Sequence, residues 1–429
     1  MAGAAVVGAG NYSLEIDTGE LVDAFILDAN PEGVLNNTTY VLDGTTNFAD
    51  VIEGINIIYV KRGRRDVGDQ FSAGTMSFTM LDTDGLFNPF DTLSPYYDTA
   101  SSQPGLAPMR KVRLARYSDL NVKEYLFNGY IVNYDYNFAL GGLDTVTVYC
   151  ADDFYLLAQT YMAEFNVSQQ LTSARLTAVL DLPEVDFPIG QRNISIGTQT
   201  LGGSAAFTVA EGTNTLDYCN QINIAEQGRL FMARDGDLTF QPRIGNTLSQ
   251  PVADFHDDGT NIPYDQVGIT FEADQVVNRA AVAILGNTTQ QVADDAASQA
   301  KYFIQTTSIT GSLLHDDPAA LALANYLLEP EPEARYTAVG TNLNKLSTAQ
   351  RDAVAVIDIG DTITIEKTFT SGAGTTELAQ ELSVEGVEHT ITVSGGHSVM
   401  YFTAPTVIVY ELILNDPVFG IIDSTNVLG

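Results

Sequence analysis

Apolar and polar residues alternate with a period of two over much of residues 51–152. In Thr75-Met-Ser-Phe-Thr-Met80 the period sets Met76, Phe78 and Met80 on one face, and Lys111-Val-Arg-Leu114 alternates in the same way. Tyr130, Val132, Tyr134 and Tyr136 fall on one face of a further run, and Val146, Val148 and Cys150 on one face of the next. This pattern predicts half-buried strands. Asp82-Thr-Asp-Gly85 and Gly141-Gly142 supply turn chemistry between them. Several strands with no helix between them predict a small antiparallel β-barrel or a sandwich, a first such domain over 51–152. Residues 1–50 hold short β-like runs (Tyr12–Ile16, Leu21–Leu27) among Asn, Gly, Pro and Thr, and read as an N-terminal arm or edge.

The pattern changes over 153–265, which predicts a peripheral α+β domain. Thr172/Ser173 can cap a helix with Leu176, Val179 and Leu180 on its apolar face and Pro183 beyond its end. A second helix fits Asn214–Gln227, with Leu216, Cys219, Ile222 and Ala225 recurring and Gly228 as the left-handed terminator. Asp235-Gly236 between Arg229–Arg234 and Leu238–Phe240 predicts a hairpin. Residues 266–404 return to strands and predict a second barrel domain with helical insertions. Val276–Leu285 reads as a strand; Asp317-Pro318 opens a helix with Leu321, Ala324 and Leu328 on one face. Ser347-Thr-Ala-Gln350 is a capping-box pattern. Asp361–Ile365, then His389–Val393 and Ser398–Phe402 around Gly395-Gly396, complete the series. Residues 405–429 add one apolar strand (Val407–Leu414) and a tail.

Composition supports a mainly β chain of two to four domains: 429 residues, 45% hydrophobic, 36 Gly, 20 Tyr and no Trp. Asp and Glu number 54 against 20 Lys and Arg, for a net charge of −34. Such a field repels phosphate, so sequence-reading nucleic-acid proteins are excluded, and either solubility or a surface that must not hold passing DNA accounts for the charge. Cys150 and Cys219 are expected as buried free thiols. The N-terminus lacks a signal-peptide pattern, and no run approaches the ~18 apolar residues of a membrane span. The sequence has no Walker-type loop, no Gly-x-Ser-x-Gly elbow and no His-Glu-x-x-His helix, and no cofactor or metal is expected. Asp82-x-Asp84-Gly85 fails as a calcium loop because Leu86 and Leu93 stand where oxygen ligands are needed. His389 and His397 face each other across a predicted hairpin and read as solvent-facing residues rather than ligands. Paired carboxylates are cheap by chance in so acidic a chain, so an enzyme is not expected.

Several strings, in order, resemble the tail hub (baseplate-hub, minor tail) proteins of siphophages. They are Arg62-Gly-Arg-Arg-Asp66, Ala73–Leu81 and Asp84-Gly-Leu-Phe-Asn-Pro89; Pro108-Met-Arg-Lys-Val-Arg113, Tyr125-Leu-Phe-Asn-Gly-Tyr-Ile131 and Asp144–Val148; Gly228–Phe240 with Arg243; Val276-Val-Asn-Arg279; Ile357-Asp-Ile-Gly-Asp361 and Val384-Glu-Gly-Val-Glu-His-Thr-Ile391. One departure is that Tyr302 is followed by Phe303 where such proteins often have Gly. Receptor or wall-degrading modules of the kind some such proteins carry on a long C-terminal extension are not expected. The resemblance implies two tail-tube-like barrels and a homotrimer with six barrels in a pseudo-six-fold ring. It implies a virion protein of the tail tip, assembled in the host cytoplasm, joining the tail tube and distal tail protein to tip, fibre or receptor-binding proteins, with the tape measure protein as a possible neighbour. The chain would line or close a channel that double-stranded DNA crosses unbound at genome ejection, and that lining is expected to be acidic. A distal-tail ring, a receptor-binding tail protein and a carbohydrate-binding or carbohydrate-active protein are the alternatives. Both ends are expected to order on neighbouring subunits, and the two barrel segments to share one topology.

Overall fold

The computed structural model describes residues 5–6, 10–18, 48–65, 69–82, 85, 87–94, 96–98, 102–140, 142–202, 207–243, 251–287, 289–372, 374–405, 410–411 and 426–427. The expected strands at Leu21–Leu27 and most of Val407–Leu414 lie outside the described residues.

Two sets of six strands form the body. The first comprises β1 (Gly10–Asp17), β2 (Ile55–Gly63), β3 (Ser72–Leu81), β4 (Lys111–Tyr117), β5 (Lys123–Asn137) and β6 (Thr145–Ala151). The second comprises β7 (Ala253–His256), β8 (Gln266–Thr270), β9 (Arg335–Asn342), β10 (Thr362–Ser371), β11 (Gly374–Thr392) and β12 (Gly396–Pro405). The spatial order is β1-β4-β5-β6-β3-β2 in the first set and β7-β10-β11-β12-β9-β8 in the second. Numbered one to six along the chain, both sets therefore run 1-4-5-6-3-2. The shared topology expected from the strand pattern is present, although nothing in the two sequences repeats.

Three details differ from expectation. Neither set closes on itself among the described residues: β2 pairs with β11 of the other set, Gly63 opposite Gly386 through Ile57 opposite Thr392, so the two sets form one continuous sheet. The pairing is antiparallel except for β7 with β10, which is parallel; β7 joins this sheet rather than the peripheral domain in which its residues were placed. Within β5 the register slips between Tyr149/Cys150 and their partners, so Cys150 faces Ile131 and Val132 is the extra residue. The bulge interrupts the simple Tyr130–Tyr136 alternation and turns Ile131 into the core, where it is fully buried.

One face of the sheet packs on the core. Met76, Phe78, Met80, Val112, Leu114, Val146 and Val148 of the first set are buried, as are Val339, Ile363, Ile365, Val387 and Tyr401 of the second. The other face can be followed across strands in register: Asn133, Tyr149, Ser77, Tyr59, Thr390, Ser398 and Asn342 form one row, and Asp135, Thr147, Thr79, Ile57 and Thr392 the next. A third runs from Thr75 through Lys61, Glu388, Met400 and Gly340 to Gln266. These rows are set with hydroxyls and amides, with Asp135, Lys61 and Glu388 as their charges. The acidity expected of a channel lining is not concentrated here.

Two insertions leave this plan at different points. After β6, Asp152 caps helix α1 (Asp153–Gln159), and α2 (Thr172–Leu180) and α3 (Thr215–Glu226) follow. The hairpin Arg229–Met232/Leu238–Gln241 then turns through Gly236. α3 fills the expected Asn214–Gln227 span with Asn214 as its cap, but Gln227, not Gly228, takes the left-handed conformation at φ 55°. Gly228 is needed for another reason: a Cβ there would meet the Gln241 carbonyl at 2.4 Å. Between β8 and β9 lie a three-stranded sheet, α4 (Ala296–Tyr302) and α5 (Asp317–Tyr326). Asp316 caps α5, and its buried face is Ala320, Leu323 and Ala324, while Leu321 is exposed. The Ser347 capping box opens α6 (Thr348–Ala355) as predicted.

Asn278, fully buried, explains the Val-Asn-Arg string. Its amide donates to Ser298 Oγ (3.1 Å) and the Phe303 carbonyl (2.7 Å) and accepts from the Gln305 N–H (2.8 Å). It thus clamps the turn after α4, where Phe303 sits at φ 61°, ψ 179°, a conformation natural to glycine. Because the Phe303 ring is 82% exposed, it gains little burial in return. Phe303→Gly should therefore stabilise the chain by about 1 kcal/mol, the relief of backbone strain less glycine's extra unfolded-state entropy. Urea denaturation of the two proteins checks this.

Candidate functional site

Several of the strings that carry the resemblance converge where the two strand sets and the peripheral hairpin meet. Glu385, on β11 and 1% exposed, lies at the centre. Its Oε2 takes Arg64 at 2.8–2.9 Å, and its Oε1 takes Arg229 at 2.7 Å. Arg64 follows β2, and Arg229 opens the hairpin, so one carboxylate ties three parts of the chain. Beside it Arg62 pairs with Asp358 at 2.6 Å, and the other Asp358 oxygen accepts the Arg234 N–H at 2.9 Å. Arg64 also lies over the Phe71 ring at 4.5 Å, and Phe71 packs on Phe231.

The glycines of these strings allow the close approach. A Cβ on Gly63 would stand 2.3 Å from the Glu385 carbonyl, and one on Gly386 would stand 2.4 Å from the Arg64 carbonyl. Asn128 of the Phe-Asn-Gly string donates to the Asp235 carbonyl at 2.8 Å and supports the hairpin turn. Burial alone would push the Glu385 carboxyl up; Arg229 and Arg64 more than offset it and hold the group below the ordinary carboxylate range. The clasp is an ion-pair network that ties β2, β11 and the peripheral hairpin together.

A second buried contact joins β1 to the second set. Tyr12 OH meets His397 Nδ1 at 2.8 Å, and His397 Nε2 meets His389 Nδ1 at 2.9 Å. Both rings are buried, which corrects the expectation that they face solvent. The bulge between Val384 and Gly386 sets the phase of β11, so His389 shares the inner face with Val387 and Ile391. Burial pushes His389 down to about 3, and His397 is also held well below its usual value by burial. Nearby, fully buried Arg116 reaches Asp352 of α6 at 2.5 Å and Glu124 at 3.4 Å.

Among the other residues singled out, Asp82 is buried and accepts the Phe87 N–H at 3.2 Å, while Thr83 and Asp84 lie outside the described residues. Cys150 and Cys219 are buried free thiols. Among the described residues no helix is long and apolar enough to cross a membrane.

No family model and no curated protein matches this sequence. Solved structures do. The tail protein from Neisseria meningitidis MC58 is similar over 84% of this chain and 94% of its own, at a TM-score of 0.55 and 11% identity. The 43 kDa tail protein of prophage MuSo2 from Shewanella oneidensis is similar over 83% of this chain and 95% of its own, at a TM-score of 0.53 and 9% identity. The chain thus shares its fold with phage tail proteins, in agreement with the resemblance carried by its motifs.

Two outcomes follow from this geometry. Glu385→Gln leaves two arginines facing a neutral amide in a buried site and should cost about 3–5 kcal/mol in chemical denaturation. For the histidines, the unfolded rings bind protons below about 6.5 and the folded ones do not, so their contribution to stability is lost as pH falls from 6.5 toward 3. Histidine-selective NMR should show His389 and His397 unchanged between pH 7.5 and 5, whereas His256, raised by its hydrogen bond to Glu377, titrates above its ordinary value.

Proposed function

We propose that the chain is the structural, non-enzymatic hub of a long-tailed phage tail tip, acting as a homotrimer between the tail tube with its distal tail protein and the tip proteins below. The observation that carries this reading is the repeated strand order together with the β2–β11 pairing. Within one chain, the edge strand of the first set already pairs with the long strand of the second. The equivalent parts left over are complementary. Among the described residues β8 is the free edge of the second set, and the Val132–Asn137 stretch of β5, which has β6 on one side only, corresponds to the part of β11 that receives β2. β8 of one copy on β5 of the next repeats the internal contact head to tail, and with a rotation of one third of a turn between copies such a contact closes a ring. Three copies give six equivalent sets, matching a six-fold tube.

In that ring the hydroxyl- and amide-lined rows face the channel. With Lys61 opposite Glu388 in register, they offer DNA few cations to hold. Residues 153–243 and the insertion between β8 and β9 project as peripheral domains toward neighbouring tail proteins. The shared tail-protein fold and the absence of a recognisable catalytic motif support this reading over a carbohydrate-active one.

Native mass spectrometry of the purified chain should give a trimer. Ile269→Asp, at a position 38% exposed on β8, places a charge on the closing edge and should yield monomers with unchanged circular dichroism. A wild-type hexamer would instead favour a distal-tail ring, and a monomer that stays single at high concentration would remove the ring.

A further inference from the structure

Three strands of the second set bring His256, Glu366 and Glu377 together on one face. His256 of β7 stands directly opposite Glu366 of β10 in the parallel pairing. Glu377 of β11 pairs with Thr368, two residues beyond Glu366 and on the same side. His256 Nε2 lies 2.6 Å from Glu366 Oε2 and 3.0 Å from Glu377 Oε1, and one ligand atom from each residue lies within 4.8 Å of the others. Its Nδ1 lies 2.6 Å from Asp258 Oδ1 and 2.9 Å from the Asp258 backbone nitrogen. Asp258 is itself fixed by the Thr260 N–H and hydroxyl at 2.7 and 2.6 Å.

The hydrogens do not suffice for these contacts. A neutral imidazole has one N–H and a protonated one has two, yet three carboxylate oxygens stand within 3.0 Å of this ring. Even in the doubly protonated ring, Glu366 and Glu377 both stand on Nε2 and must share its single hydrogen. Among the described residues none of the three carboxylates is met by Lys or Arg; the nearby Lys367 is taken by Asp257. The His256 side chain is 7% exposed, so water cannot surround it, while Glu377 at 54% leaves the site open on one side.

We propose that His256 Nε2, Glu366 and Glu377 bind one divalent transition-metal ion, Zn2+ or Mn2+, with Asp258 holding the imidazole through Nδ1. One nitrogen and two carboxylate oxygens suit such borderline ions. Donors about 2.1 Å from one ion lie roughly 3.0–3.4 Å apart, so the two imidazole–carboxylate distances of 2.6 and 3.0 Å need open by only a few tenths of an ångström, with the two glutamate oxygens drawn together from within 4.8 Å. A carboxylate on the far nitrogen is the usual outer partner of a metal-bound histidine. This revises the sequence-based expectation of no metal; residues so far apart in the chain show no ligand spacing. The ion would pin the four-residue β7 to the β10–β11 ribbon, independently of whether copies form a ring.

The full chain, stripped with EDTA and dialysed, is titrated with Zn2+ and with Mn2+ by calorimetry and thermal melting. One ion per chain is expected, with a raised melting temperature. Glu377→Gln should weaken binding at least tenfold and Asp258→Asn about tenfold, both melting like wild type without metal. Glu53→Gln, an exposed acid elsewhere, should bind as wild type. Absence of saturable binding, or binding undiminished in Glu377→Gln and His256→Gln, would overturn the site and assign any uptake to the acidic surface at large.

Discussion

Burying a carboxylate is costly unless cations meet it, and this chain buries Glu385 where β2, β11 and the peripheral hairpin come together. Two guanidiniums compensate the desolvation, and each comes from a different part of the chain. The continuous sheet, the seating of the hairpin and the close backbone crossing at Gly63 and Gly386 all depend on that neutralisation. Remove the charge and the arginines lose their reason to approach; add a side chain to either glycine and the strands cannot meet at their observed spacing.

The alternating strands were legible because a period of two belongs to each strand by itself, and the buried face at Met76, Phe78 and Met80 was read directly from it. The capping box at Ser347 was legible because it acts within four residues. What was hidden is non-local. The bulge at Val132 is a property of two strands in register, not of one. The histidine pair looked solvent-facing because nothing in its own hairpin shows that β1 covers it with Tyr12. The clasp could be quoted as strings but not explained, since Arg62, Arg229, Asp358 and Glu385 come together only in the fold. His256 and its carboxylates gave no sequence signal at all.

The two strand sets illustrate how little sequence a topology needs. Their order is the same, yet the residues differ throughout, since a sheet specifies faces and turns and leaves identities open. That freedom ends at the junction, where contacts between sets demand particular glycines, arginines and acids. The strings with family resemblance accumulate there for that reason.

The placement of the insertions has a consequence for how such a chain can diversify. In the second set, the connection between its second and third strands has expanded into a sheet and two helices. In the first set, the equivalent connection is the short segment that carries Arg64 onto Glu385. A loop that serves as an anchor is closed to growth, because lengthening it would withdraw the guanidinium. Novelty in the first half has had to enter elsewhere, after its last strand. Two halves of one plan thus acquire different evolutionary latitude, and a designer grafting a new module would find room in the second set's connection and none in its counterpart.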